Sequence, residues 1–147
     1  MTRVEVDPLI RRVLTEFDHI TVVGCSRDAD KSAHAIPARM QQRGYRITPI
    51  NPVADELLGE RVYRTLYDAP RPVDVVQLFR PSAEAPELVQ AAVEVGAAAV
   101  WLQSGIRSGE ARRIAEEAGL LYVEDHCMAV DYIRLGITDA DRLRRSA

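Results

Sequence analysis

One parallel α/β sheet with helices on both faces is the architecture expected of this 147-residue chain. Three features of the sequence point to it. Short β-branched runs alternate with amphipathic stretches of helical length. The apolar runs stop at glycine, proline or small polar residues. The run at 73–79, V-D-V-V-Q-L-F, is mostly apolar and β-branched, as a strand covered by helices on both faces should be. Alternation of this kind winds a doubly wound sheet of about five strands through right-handed crossovers. The length suits a single domain over 1–147 with its core at about 20–135, enough chain to bury a core of its own.

The N-terminal segment 7–17, D-P-L-I-R-R-V-L-T-E-F, puts Asp7 in place as a cap and Pro8 at the first helical position. Leu9, Ile10, Val13, Leu14 and Phe17 recur at helical spacing and form one apolar stripe. Strand one spans 20–24, where Ile20, Val22 and Val23 favour a buried strand and Gly24 ends it. A helix over 32–43 follows and stops at Gly44, with Ala33, Ile36, Pro37 and Met40 on one side. Pro37 removes one ladder bond there, so the helix starts late or kinks. Strand two, 46–50, closes on Asn51-Pro52. Residues 54–59 read as a turn of helix, 61–63 as a short extended piece, and 67–72 as a connector stiffened by two prolines. After strand three at 73–79, a helix runs to Val95 with Leu88, Ala91, Ala92 and Val95 inward. Strand four is 98–102. Its helix, 108–118, buries Ala111, Ile114, Ala115 and Ala118 and ends at Gly119. Strand five is 120–123, and a last helical segment covers 128–135.

Composition narrows the function. The chain is 47% hydrophobic and 28% charged, which is ordinary for a soluble globular protein. A net charge of -3 argues against a broad nucleic-acid footprint. The basic tail Arg142, Arg144 and Arg145 reads as a solvated helix end. Cys25 and Cys127 are far apart, form no metal-ligand pattern and suit free thiols in a reducing compartment. The start of the chain has scattered charges and no apolar core of a signal peptide. No run approaches the roughly 20 apolar residues of a membrane span. The expected location is the cytoplasm, with no nucleic-acid or membrane partner and no metal.

In a doubly wound sheet, ligands bind beyond the carboxyl ends of the strands. Five loops meet there: 24–31, 51–53, 79–81, 103–106 and 124–127. The first, G-C-S-R-D-A-D-K, joins a strand to a helix. Free N–H groups and the positive dipole end of that helix suit a phosphate. NAD matches poorly. Its fingerprint wants glycine where Ser26 and Ala29 stand, and no carboxylate occurs between Asp30 and Asp55 to hold a ribose.

The segments V-V-G-C-S-R-D-A-D-K-S, G-Y-R-I-T-P-I-N-P, L-G-E-R-V-Y-R-T-L, P-V-D-V-V-Q-L-F-R, G-A-A-A-V-W-L-Q-S-G-I and V-E-D-H-C follow one another over about 20–132. In this set the chain resembles the small bacterial CoA-binding domain proteins. These are similar to the CoA-binding Rossmann domain of the succinyl-CoA synthetase alpha subunit. The resemblance implies a Rossmann-like domain with CoA, or an acyl-CoA, lying across the strand ends. By position, Gly24, Ser26 and Arg27 would bracket the pyrophosphate, with Cys25 in the same loop, and Lys31 would contact phosphate. Asn51, Pro52 and Val53 would line the adenosine end. Phe79 and Arg80 would flank the ligand, and Gln103, Gly105 and Ile106 would meet the pantetheine. Two positions depart from the family pattern: Val53 stands where a lysine is expected, and His34 where an aromatic is common.

No triad, metal cluster or nucleophile elbow is legible, so the expected role is a non-catalytic binding module. Two alternatives stay open, an NAD(P)-dependent oxidoreductase and a regulatory or scaffold domain that has lost its ligand. A homodimer is plausible, through the amphipathic terminal segments. Cys127 and His126 are neighbours and should point to opposite faces. That leaves Cys127 as a packed or groove-lining thiol. Cys25 reads as a small filler, Trp101 as core and His19 as a solvent-facing boundary residue. His34 reads as a surface or groove residue, and Glu124 and Asp125 as solvated or capping groups. A phosphohistidine role for His126 lacks its glycine-rich context.

Overall fold

A computed structural model describes the backbone of residues 3–146 and the side chains of 5–142. The strands are β1 (His19–Val23), β2 (Arg46–Ile50), β3 (Glu56–Leu57), β4 (Glu60–Arg61), β5 (Val75–Leu78), β6 (Ala99–Leu102) and β7 (Leu121–Val123). The helices are α1 (Arg3–Glu16), α2 (Ser32–Gln42), α3 (Ala85–Glu94), α4 (Gly109–Glu117), α5 (Met128–Arg134) and α6 (Asp139–Ser146). The main sheet has the order β2-β1-β5-β6-β7, and every pairing in it is parallel. This is the doubly wound α/β sheet expected, with β1 and β5 side by side at its centre.

Side chains alternate across each strand and fill two apolar layers. On one face, Leu14 of α1, Met40 of α2 and Met128 of α5 pack with Ile20, Val22 and Trp101. On the other, Val89 of α3 and Ala115 of α4 pack with Val76, Leu78 and Val100. Each aliphatic side chain so buried contributes about 2 kcal/mol. The chain leaves β1 through α2 on the first face and β5 through α3 on the second. The loops above β1 and β5 therefore diverge, and a crevice opens between them.

Several expectations are corrected. Helix α1 begins at Arg3, and Asp7 does not cap it. The Asp7 carboxylate instead takes a two-pronged contact from Arg134 of α5, at 2.8 and 3.0 Å. Pro8 lies inside the helix, at the loss of one hydrogen bond near its start. Residues 54–59 contain no turn of helix. Strands β3 and β4 pair antiparallel there, turning on Leu58 and Gly59 with φ of 54° and 75°. Positive φ at both central residues matches the twist of a hairpin; Gly59 takes it freely, whereas leucine adopts it rarely. Tyr63 is extended as expected and bridges to Ile50. Ala118, expected inward, caps the end of α4 and is exposed.

His19 is buried rather than solvent-facing, at 7% exposure. Its Nε2 lies 2.6 Å from the Thr48 hydroxyl on β2. Burial first, and then the Arg46 charge, hold its pKa below the usual histidine value. The tail forms a separate helix, α6. Thr138 and Asp141 cap it reciprocally, Asp141 accepting from the Thr138 N–H and Thr138 from the Asp141 N–H. Arg142 is half-buried and packs on the fold. Its guanidinium lies 3.6 Å from the centre of the Tyr45 ring and donates to the Arg43 carbonyl at the end of α2. The side chains of Arg144 and Arg145 fall outside the described residues.

Candidate functional site

Two adjoining cavities lie over the carboxyl ends of the central strands. The larger, about 540 Å³, is bordered by Gly24, Ser26, Lys31, Asn51, Pro52 and Arg64, among others. The smaller, about 380 Å³, is bordered by Ile36, Pro81, Gln103, Ser104, Ile106 and Cys127, among others. Ala33, Phe79 and Arg80 border both. The pair thus forms one groove across β2, β1, β5 and β6.

Gly24 is needed where these strands meet. Its φ is +85°, and a Cβ there would lie 2.9 Å from the Phe79 carbonyl oxygen and 3.0 Å from Arg80 Cδ. Only glycine lets the β1 loop close on the β5 loop. Downstream, Pro37 has a local consequence for the loop. It has no N–H for the Ala33 carbonyl, four residues back. That carbonyl accepts instead from the Ser26 N–H at 3.0 Å. The awkward proline therefore ties the phosphate-type loop to its helix. The His34 ring adds a second tie, donating from Nδ1 to the Ser26 carbonyl at 2.7 Å. A carbonyl only accepts, so Nδ1 carries the proton. His34 is a brace of the loop and is not among the cavity-lining residues.

These ties alter the expected donor set. The Gly24 N–H donates to the Ile50 carbonyl and the Ser26 N–H to Ala33, so neither amide is free for a ligand. The Ser26 hydroxyl accepts from the Asp28 N–H at 3.0 Å and keeps its own proton to donate. The exposed Lys31 stands at the start of α2, beside the first-turn N–H groups that have no partner within the helix. Arg27 is exposed and outside both cavities. Cys25 is fully buried, and burial pushes its thiol pKa up to about 11. It packs beneath the loop and borders the larger cavity.

Asn51 is engaged by the protein itself. Its Nδ2 donates to the Cys25 carbonyl, and its Oδ1 accepts from the N–H groups of Val53 and Ala54. It ties the β2 loop to the β1 loop from the cavity wall. Val53 is 64% exposed on the rim and borders neither cavity. Arg64, which sequence reasoning missed, does border one. It donates to the Asn51 and Ala54 carbonyls and pairs with Asp55 at 2.5 Å. Arg80 pairs with Glu84 through two contacts, at 2.9 and 3.2 Å. Both side chains are nearly half exposed, so the pair contributes at most about 1 kcal/mol. The Arg80 charge is easily re-aimed.

The β6–β7 side is built by carboxylates. Asp125 accepts from the Gly105 N–H at 2.6 Å and from Arg107 at 2.6 and 2.9 Å. The Gly105 amide and then Arg107 hold its carboxyl below the usual range. Gly105 is thus pinned beside the groove but does not border it. Glu124 accepts from the Ser108 N–H that precedes α4, and from Tyr122, a capping role as expected. Trp101 is core, and its indole donates to the His126 carbonyl at 2.9 Å. The His126 ring pairs with Asp131 at 2.8 Å and borders a separate cavity, whereas Cys127 borders the groove. The two neighbours face apart, as expected. No three acidic, histidine or cysteine side chains cluster to hold a metal among the described residues.

A parallel doubly wound sheet with a groove above its two central strands defines a Rossmann-like α/β protein, the class in which ligands sit beyond the strand ends. More narrowly, the chain belongs to the CoA-binding domain family, whose model matches residues 18–133. It is 34% identical over 121 residues to YneT, an uncharacterized protein of Bacillus subtilis, covering 82% of this chain and 90% of YneT. It is 29% identical over 99 residues to the ADP-forming acetate–CoA ligase II of Archaeoglobus fulgidus, covering 66% of this chain but 15% of the ligase. The solved structure of cell-free ID.343 from Thermus thermophilus superposes with a TM-score of 0.82 at 35% identity. That likeness covers 88% of this chain and 98% of the other.

Proposed function

We propose that the chain binds CoA or an acyl-CoA in this groove and carries out no chemistry on it. The observation that carries the reading is the continuity of the two cavities through Ala33, Phe79 and Arg80. One ligand with a charged nucleotide end and a long, mostly apolar arm fits such a pair. The nucleotide phosphates would lie in the larger cavity, near the Ser26 hydroxyl, Lys31 and Arg80. Asn51 and Pro52 would wall the adenosine end, and the pantetheine would run past Phe79 towards Gln103, Ile106 and Cys127. Gly24, Cys25, His34 and Gly105 would act through loop shape, and Arg27 and Val53 from the rim.

An NAD(P) enzyme is the weaker reading. Asn51 stands at the end of β2 with its carboxamide engaged, and no carboxylate is there for a ribose. We further infer a cytoplasmic protein, for which the two free thiols are the support. A homodimer has less behind it than the sequence suggested, because Ile10, Val13 and Leu14 of α1 are buried within the chain. No helix among the described residues is long and apolar enough to cross a membrane.

Calorimetry with CoA, acetyl-CoA and NADH tests the function. Saturable binding of CoA or acetyl-CoA, with none of NADH and no thiol released from acetyl-CoA, is expected. Silence towards CoA and acetyl-CoA at millimolar concentration would end the reading.

A further inference from the structure

We propose that Gln77 is a positioning residue: it holds the Gln103 carboxamide so that Nε2 donates to a carbonyl oxygen on the ligand's arm. This rests on the CoA reading above and names the chemistry that the smaller cavity selects.

Gln77 is a polar residue in the middle of β5, fully buried at 0% exposure, and Gln103 is 5% exposed. Their orientations follow from hydrogen-bond chemistry. The Met128 N–H lies 3.1 Å from one terminal atom of Gln103. A backbone N–H only donates, so that atom is Oε1. The same oxygen lies 3.3 Å from a terminal atom of Gln77, which is therefore Nε2. Two donors thus clamp Gln103 Oε1. This leaves Gln103 Nε2 without a hydrogen-bond acceptor in the protein, on a side chain that borders the smaller cavity. Gln77 Oε1 is left buried with no partner.

The arrangement works against stability, because a desolvated oxygen goes unpaired. An apolar residue in place of Gln77 would fill the same space with no such penalty and leave the Met128 N–H on Gln103 Oε1. What the pair supplies is one oriented donor in a cavity otherwise walled largely by Ile36, Phe79, Pro81 and Ile106. The nucleotide end of CoA has no carbonyl group. The pantetheine arm carries amide carbonyls, and an acyl-CoA adds a thioester carbonyl. What assigns this donor to the arm is its place in the smaller cavity, apart from Ser26 and Lys31, which border the larger one.

Calorimetry on the full chain with ADP, CoA and acetyl-CoA decides the matter. The variants are Gln103→Leu, Gln103→Glu, which keeps the shape but removes the donor, and Gln77→Met. Each variant should lose about tenfold for CoA and acetyl-CoA, the effect of one hydrogen bond, with ADP binding unchanged. A loss confined to acetyl-CoA assigns the acceptor to the thioester; an equal loss for both assigns it to a pantetheine amide. In thermal melts, Gln77→Met should match or exceed the parent, because it removes the unpaired oxygen and keeps the Met128 N–H on Gln103. Unchanged CoA affinity in Gln77→Met, or in both Gln103 variants, overturns the inference while leaving the CoA reading standing. Equal losses for ADP and CoA, or a collapsed melting temperature with ADP binding gone, mark the pair as structural and also overturn it. If the parent binds no CoA at all, both readings fall together.

Discussion

The two halves of the groove are built by opposite means. The β1–β2 half is a set of loops held by their own backbone and by short polar ties. Asn51 reaches the Cys25 carbonyl, His34 and Ala33 hold Ser26, and Arg64 gathers three acceptors. Its cations, Lys31 and Arg64, and Arg80, which it shares with the β5 side, are exposed. The β5–β6 half is an open pocket with Ile36, Phe79 and Ile106 on its wall, exposed Ser32, Arg80 and Ser104 at its rim, and one clamped carboxamide. The first half depends on loop shape and should bind charge with little side-chain specificity. The second depends on packing and on one donor. Loop chemistry is local, so it tolerates exposed and mobile charges. A single buried donor works only if the sheet beneath it fixes its direction.

Substitutions can break the contrast. Gly24→Ala should have the largest effect, because its Cβ meets the Phe79 carbonyl and its backbone holds a positive φ. It should destabilise the protein by about 2 kcal/mol and remove binding of ADP and CoA alike, since it separates the two halves. Chemical denaturation and calorimetry read both. Asn51→Ala should come next, at about 1–2 kcal/mol of stability, because it leaves the Cys25 carbonyl and two N–H groups without their partner. Its loss of affinity should be similar for ADP and CoA; a loss for CoA alone would blur the division between the halves. Lys31→Ala should leave the melting temperature unchanged. It should weaken ADP and CoA by the same factor, about five- to tenfold at low salt and less at high salt.

The smallest effect lies away from the groove and serves as a control. The pKa of His19 is lowered by folding, so the unfolded chain binds its proton more readily. Its contribution is therefore complete above the ordinary histidine value and fades as pH falls through and below it. His19→Gln should flatten the melting-temperature profile between pH 7 and pH 5 and leave ligand affinity unchanged.

Much of this was legible from residue order. Strand positions came from β-branched runs, and their ends missed by a residue or two because pairing frays there. The loop at 24–31 was legible because a glycine after a strand and before a helix has few other uses. The hairpin at 56–61 was missed because an isolated ladder this short leaves almost no periodic signal and Leu58-Gly59 lacks the Asn-Gly or Asp-Gly turn signature. The α6 cap, T-D-A-D at 138–141, was readable and was overlooked in favour of the basic residues after it.

What local order fixes is the alternation of strand and helix, the glycine at the head of the crevice and the family pattern, since each depends on neighbours within a few positions. Which donors remain free for a ligand is another matter. The amides of Gly24 and Ser26 looked available until Ile50 and Ala33 claimed them. The Gln103 carboxamide is turned only where Gln77 and the Met128 N–H both reach its oxygen, from 26 and 25 residues away along the chain. A hydrogen-bond donor has one place to go, and which partner reaches it first is decided across the fold, between residues that no local pattern connects.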